Sequence, residues 1–215
     1  MTALSVRSKD EIPDDAYRKM VLTLMDKQAS REVATAEVFG QCVLYAPTVE
    51  DKIRITRFQH EELKHFQLLA KLMGELGVDM DAYVRDRQRA GARFTGDEAD
   101  MQIQDWIDAT LFNFMIDRAA TFQLTEYTRG SYLPLARANE LIVKEEEGHK
   151  SFGEGCLEQM CRDAARRRAD LLSAAAGGGG DPRGDRLADA ARRYRTADGS
   201  PTARVRRDSA RRPTP

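Results

Sequence analysis

The sequence predicts an all-α protein: a four-helix bundle built from two antiparallel helix pairs, followed by a disordered C-terminal tail. Three observations predict it. Four long stretches carry apolar residues at helical spacing, and none alternates as a strand does. A short join at Pro47 separates the first two stretches, while a longer connection separates the middle two, the loop pattern of paired antiparallel helices. Finally, Glu-x-x-His occurs twice, at Glu62–His65 and Glu146–His149, using two of the three histidines. Residues i and i+3 share a helix face, so each motif can aim a carboxylate and an imidazole at one spot.

Residues 1–12 are polar and are expected to be loose. Pro13 followed by Asp14 and Asp15 predicts a helix start, with φ fixed and negative charge on the first turn. The first helix is expected from about Asp15 to Tyr45, with Leu22, Met25, Ala29, Ala36, Phe39 and Val43 inward. Thr48 caps the second, which runs to about Leu76 before Gly77; its stripe is Ile55, Phe58, Phe66, Leu69, Met73 and Leu76. Residues 78–99 are a connection with a charged run and a short helix. The third helix is expected from about Asp100 to Thr128, with Ile103, Trp106, Ile107, Phe114, Ala120 and Leu124 inward. The fourth runs from near Pro134 to about Met160, with Leu135, Ile142, Val143 and Cys156 inward. The expected domain is therefore 13–161, and 162–215 is a low-complexity tail.

Composition supports this division. The formal net charge of −1 averages two unlike parts. From Arg162 onward the chain has fourteen Arg and seven Asp but no Lys, Glu, Ile or Phe. Such a segment lacks the apolar residues needed for a core. Asp interspersed among its arginines weakens a nucleic-acid reading. Three cysteines, Cys42, Cys156 and Cys161, form no disulfide framework, and no apolar run reaches the roughly 18 residues of a membrane span. The expected setting is cytoplasmic, with neither nucleic acid nor membrane as partner.

An acid in an apolar stripe needs a reason, and that selects the candidate site. Glu32 lies between Ala29 and Ala36, whereas Glu37 lies off the stripe. Glu62 stands between Phe58 and Phe66, whereas Glu61 has Arg57 and Lys64 beside it and is expected to face water. Asp117 follows Phe114 and precedes Ala120, and Glu146 follows Ile142 and Val143. Glu145 and Glu147 lie near Lys144 and are expected at the surface, and His60, beside Arg57 and Lys64, at the surface or just behind the ligands. Gly148 and Gly153 are expected to permit close helix approach near the site. The candidate metal-ligating and catalytic set is Glu32, Glu62, His65, Asp117, Glu146 and His149: one acid from each helix and two histidines. One Glu-x-x-His alone is commonly a surface pair or a satisfied core histidine. Two of them, each preceded by a helix with an inward acid, form the ligand plan of a dinuclear iron or manganese bundle. Four buried carboxylates without cations would repel and take up protons. Two divalent ions offset their charge, and mixed carboxylate and imidazole donors suit iron or manganese.

Asp15-Ala16-Tyr17-Arg18-Lys19, Ala46-Pro47-Thr48, Glu61–His65, Asp117-Arg118-Ala119-Ala120 and Lys144–His149 carry a family resemblance. From about Asp14 to Met160 the chain resembles the phenylacetyl-CoA ring epoxidases, particularly their catalytic subunit, and the related benzoyl-CoA epoxidase. The resemblance implies a ferritin-like fold and the same six ligands, with Asp117 the most discriminating match. It also implies a di-iron monooxygenase that adds one atom of O₂ across a ring bond of an aromatic acyl-CoA, the other atom leaving as water. No flavin, nicotinamide or iron–sulfur signature is present. Electrons are therefore expected from NADPH through a separate flavin/iron–sulfur reductase, within an oligomeric assembly that includes a scaffold subunit. The resemblance ends near Met160, and the bias beyond it is that of GC-rich DNA read out of frame, so a frameshifted or truncated tail is expected. The competing functions are a non-catalytic scaffold subunit, a ferritin-like iron oxidase or store, and an oxygenase acting on another substrate.

Overall fold

The computed structural model describes residues 5–89 and 101–176, and the side chains of all of these except 88, 89 and 174–176. Five α-helices make up the described chain: α1 Asp15–Tyr45, α2 Val49–Glu75, α3 Met80–Arg89, α4 Trp106–Tyr127 and α5 Leu133–Ala176. Each long boundary has a local cause. Asp14 caps α1 by accepting the Tyr17 N–H at 2.7 Å. Pro47 interrupts the chain after Ala46, and Thr48 caps α2 by accepting the Asp51 N–H at 3.0 Å. Gly77, at φ 87°, supplies the left-handed residue that ends α2. Asp105 caps α4 by accepting the Asp108 N–H at 2.8 Å, so this helix starts later than the apolar pattern from Asp100 suggested.

The three-residue join forces α1 and α2 to fold back on each other. Phe39 meets Phe58, with ring centroids 5.9 Å apart, and at the other end Met25 packs with Leu69 and Met73. Such pairings, rising on one helix while falling on the other, are the signature of an antiparallel pair. Gly153 of α5 lies against Phe114 of α4, and Trp106 faces Phe152 with ring centroids 6.3 Å apart.

Two apolar clusters fill the interior. One contains Val6, Val21, Met25, Ala29, Leu69, Met73, Leu76, Tyr132 and Leu135. The other contains Val38, Phe39, Cys42, Ile55, Phe58, Ile103, Ala109 and Phe112. The inward acids lie in the sequence intervals between them, so a polar layer is clamped between two greasy ends.

Three findings differ from the sequence reading. Residues 5–12 were expected to be loose, yet Val6 is buried in the first cluster. It is held by backbone hydrogen bonds from its N–H to Ser131 O at 2.8 Å and from Leu133 N–H to its carbonyl at 2.9 Å. Ile107 was expected inside but is 54% exposed; with Leu111, Met115 and Phe122 it forms an outward apolar stripe on α4. The buried face of α4 is instead Ala109, Thr110, Phe112, Asn113, Asp117, Thr121 and Leu124. Finally, α5 does not end near Met160 but continues to Ala176.

The chain divides into two compact units, Met1–Gln159 and Met160–Pro215. In the second, the described residues are helical and mostly exposed; the tail expected to be disordered lies outside the described residues from 177 on. Part of the charged run at 85–93 also lies outside them. No described helix is long and apolar enough to cross a membrane.

Candidate metal centre

Four helices bring the six predicted residues into one buried layer. Glu32 comes from α1, Glu62 and His65 from α2, Asp117 from α4, and Glu146 and His149 from α5. All six are buried, with Glu32 the most exposed at 6%. Their donor atoms form two groups, each with every atom within 4.8 Å of the others: Glu32, Glu62, His65 and Glu146 in one, Glu62, Asp117, Glu146 and His149 in the other. Glu62 and Glu146, the acids of the two Glu-x-x-His motifs, belong to both. Glu32 and Asp117 each belong to one.

The histidine rings are aimed from outside the layer. His65 Nε2 lies 2.7 Å from Glu145 Oε2, and His149 Nε2 lies 2.9 Å from Glu61 Oε2. A carboxylate can only accept, so each Nε2 carries the proton and each Nδ1 faces the layer. His65 Nδ1 stands 3.3 Å from Glu32 Oε2 and 3.5 Å from Glu146 Oε1. His149 Nδ1 stands 3.2 Å from Glu62 Oε1 without hydrogen-bond geometry, so both atoms are buried without a partner, as is Asp117 Oδ1.

The outer acids are supported from within their own helices. Gln28 Nε2 donates to Glu32 Oε1 at 3.1 Å, and Asn113 Nδ2 donates to Asp117 Oδ2 at 2.7 Å. Each amide stands one helical turn before the acid it holds.

The metal-free layer is electrostatically unsettled. Burial, then the neighbouring Glu32 charge, pushes Glu62 up to about 8 despite the opposing pull of His65. Burial and the surrounding carboxylates push Asp117 and Glu146 well above the usual carboxylate range. His65 goes to about 12: burial opposes its charge, but hydrogen bonds and charges from Glu32 and Glu62 outweigh it. Glu61 moves down, because hydrogen bonds from His149 and Arg57 outweigh its own burial cost.

The surroundings of the two histidines differ. His149 is enclosed by aromatic rings, Phe58 at 4.2 Å and Phe39 at 5.8 Å between centroids. His65 is linked through Glu145, whose side chain is 40% exposed, toward solvent.

Sequence reasoning chose Glu32 over Glu37 and left His60 outside, and the structure has Glu37 and His60 exposed. It missed Glu61 and Glu145. Glu61 was expected to face water but is buried, because Arg57 Nε reaches it at 2.7 Å while His149 bonds it from the inner side. The available signal was the doubled acid: both motifs read Glu-Glu-x-x-His, and each leading Glu crosses to the other motif's histidine. The two glycines also part company. A methyl at Gly153 would sit 2.7 Å from the Phe114 nitrogen, whereas one at Gly148 would meet nothing within 4 Å, so only Gly153 is a close-approach position.

The chain is 26% identical over 173 residues to an Escherichia coli (strain K12) protein, the A component of 1,2-phenylacetyl-CoA epoxidase by name. The aligned region is 76% of this chain and 55% of that protein, so the chain spans little more than half the length of this relative. The phenylacetic acid catabolic protein family matches residues 1–176, a similarity that continues past Met160 to the end of α5. With that match covering most of its length, the chain belongs to the phenylacetic acid catabolic protein family.

Proposed function

We propose that this layer holds two iron ions, with manganese the alternative, and that the chain is the oxygenase component of a multicomponent monooxygenase that epoxidises the ring of an aromatic acyl-CoA. The observation that carries the reading is the pair of donor groups sharing Glu62 and Glu146. The residues fit such a centre. Four carboxylates offset the charge of two divalent ions, the unpartnered Glu62 Oε1, Asp117 Oδ1 and His149 Nδ1 are donors, and the carboxylate–imidazole mixture suits iron and manganese.

When bound, the irons would supply the activation of O₂. The chain's own residues do the rest. Glu145 and Glu61 hold the Nε2 protons and so keep both Nδ1 atoms turned inward. Phe39 and Phe58 pack on His149 and keep water from that side of the layer. Glu145 offers a solvent-linked position from which a proton can pass toward His65. Electrons come from NADPH through a separate flavin/iron–sulfur reductase, and oligomeric assembly with a scaffold subunit completes a cytoplasmic complex. The name of the Escherichia coli relative supports the substrate class.

Glu61→Gln, which removes the charge behind His149, is expected to weaken metal binding about ten- to hundred-fold without unfolding the bundle. A competition titration against a chelator measures it; unchanged affinity would show that Glu61 does not support a metal ligand.

The direct test combines the iron-loaded chain with scaffold, reductase, NADPH and a panel of aryl-CoA thioesters. The expected result is oxygen consumption with one oxygen atom in the product ring. No consumption on any thioester overturns the oxygenase assignment. Iron uptake far beyond two ions per chain would favour an iron store instead, and stable association with a different metal-bearing chain would favour a scaffold.

A further inference from the structure

Both outer acids are held by amides, and both amides are fixed by the same helix. Gln28 Nε2 donates to Glu32 Oε1 and also to Asn139 Oδ1 of α5 at 2.9 Å. Asn139 is itself pinned: its Nδ2 donates to the Leu135 carbonyl at 3.0 Å, so its oxygen must face Gln28. That leaves Gln28 only one orientation, with its N–H groups toward Asn139 and Glu32 and its own Oε1 buried without a partner. On the other side, Asn113 Nδ2 donates to Asp117, and Asn113 Oδ1 is likewise buried without a partner. It lies against Gly153 of α5, where a methyl would come within 2.7 Å. Residues Gln28, Asn139 and Asn113 are all buried, the last two completely.

The positions on α5 are regular. Asn139 lies seven residues before Glu146 and Gly153 seven residues after it. Seven residues are about two turns, so all three share one face. Leaving a buried amide oxygen unsatisfied costs free energy. Two such oxygens occur among the described residues, one beside each outer acid, and neither ionised acid could be held this way with the amide reversed, because two oxygens would then face each other.

We propose that Gln28 and Asn113 are positioning residues, each setting the outer carboxylate of one metal subsite and each locked from α5, by Asn139 and by the absence of a side chain at Gly153. The inference rests on the metal reading above and goes beyond it. The subsites are then addressed separately: Gln28 and Asn139 govern the Glu32–His65 subsite, Asn113 and Gly153 the Asp117–His149 subsite.

The test is an anaerobic titration of the full chain with Co(II), read by its visible absorption, in an Asp117→Ala background that leaves only the Glu32–His65 subsite complete. Adding Gln28→Met or Asn139→Ala is expected to weaken the remaining ion about ten- to hundred-fold and shift its absorption bands. Adding Asn113→Ala or Gly148→Ala is expected to leave both unchanged. In a Glu32→Ala background the pattern reverses, Asn113→Ala and Gly153→Ala weakening the ion and Gln28→Met not. Equal effects in both backgrounds, or none in either, overturn the proposal. A parent chain that takes up no Co(II) overturns the metal reading and this inference together, which separates that failure from the first. Should a variant not fold, the metal-free parent still decides by NMR. The side-chain amide protons of Gln28 and Asn113 are expected to exchange slowly with solvent, and rapid exchange sinks the proposal.

Discussion

Glu62→Ala is expected to abolish binding of both metal ions at once, whereas Glu32→Ala and Asp117→Ala each leave one. The difference follows from membership. Glu62 contributes to both donor groups, while Glu32 and Asp117 contribute to one each. Removing a shared acid takes a donor from each ion, whereas removing an outer acid takes one from its own side alone. Metal analysis after ferrous reconstitution reads the outcome as about two ions per parent chain, about one in the outer-acid variants and none in Glu62→Ala. Two ions retained in Glu62→Ala would mean that the shared placement has no chemical consequence. Equal losses in all three would mean that the layer binds metal as an undivided cluster of charge.

The metal-free protein is expected to become less stable as pH rises from about 5 to about 8, and added metal to remove that loss. The sign follows from proton counting. Glu62 moves from 4.5 up to about 8, so across that window the folded chain holds a proton that the unfolded chain has released. Stability therefore falls with rising pH, beginning near the unfolded value and continuing through the folded one. Asp117 and Glu146 are displaced in the same direction. His65, raised from 6.5 to about 12, adds to the trend: its stabilisation is full below the unfolded value and is lost as pH rises through the folded one. Divalent metal needs these groups deprotonated, so its stabilising effect grows over the same window. Thermal melts at several pH values, with and without manganese, measure both curves. A metal-free melting temperature that rises from about pH 5 to about pH 8 would show that the carboxylates do not carry the protons their burial implies.

The fold was readable wherever the interior is apolar. Ile55, Phe58, Leu69 and Met73 mark the inner face of α2 plainly, and Asp14 and Thr48 mark helix starts because their side chains cap N–H groups that have no partner within the helix. Legibility failed on α4. Its inner face is polar and small, Thr110, Asn113, Asp117 and Thr121, because it fronts the acid layer, while Ile107, Leu111 and Met115 point outward. A search for large apolar residues there finds Leu124 on the buried face but takes Ile107 from the exposed one. The six ligand candidates were legible because an acid in an apolar stripe is costly and therefore conspicuous. Glu61, Glu145, Gln28 and Asn113 were not, since each is an ordinary polar residue until the partner across the bundle is known. The buried state of Val6 was equally hidden, because it depends on Tyr132 and Ser131, more than a hundred residues away.

The placement of the acid layer between two apolar clusters has a kinetic meaning. The two ends hold apolar contacts independent of the layer, so on the proposed reading the bundle would assemble before any ion arrived and loading would follow through a shut structure. Uptake should then be governed by how often the wall opens rather than by how fast ions diffuse. Glu145 beside His65 is half-exposed, while the rings of Phe39 and Phe58 pack on His149. If the layer takes up two ions as proposed, they should consequently enter in sequence, the one at Glu32 and His65 exchanging readily and the one at Asp117 and His149 staying for far longer once trapped.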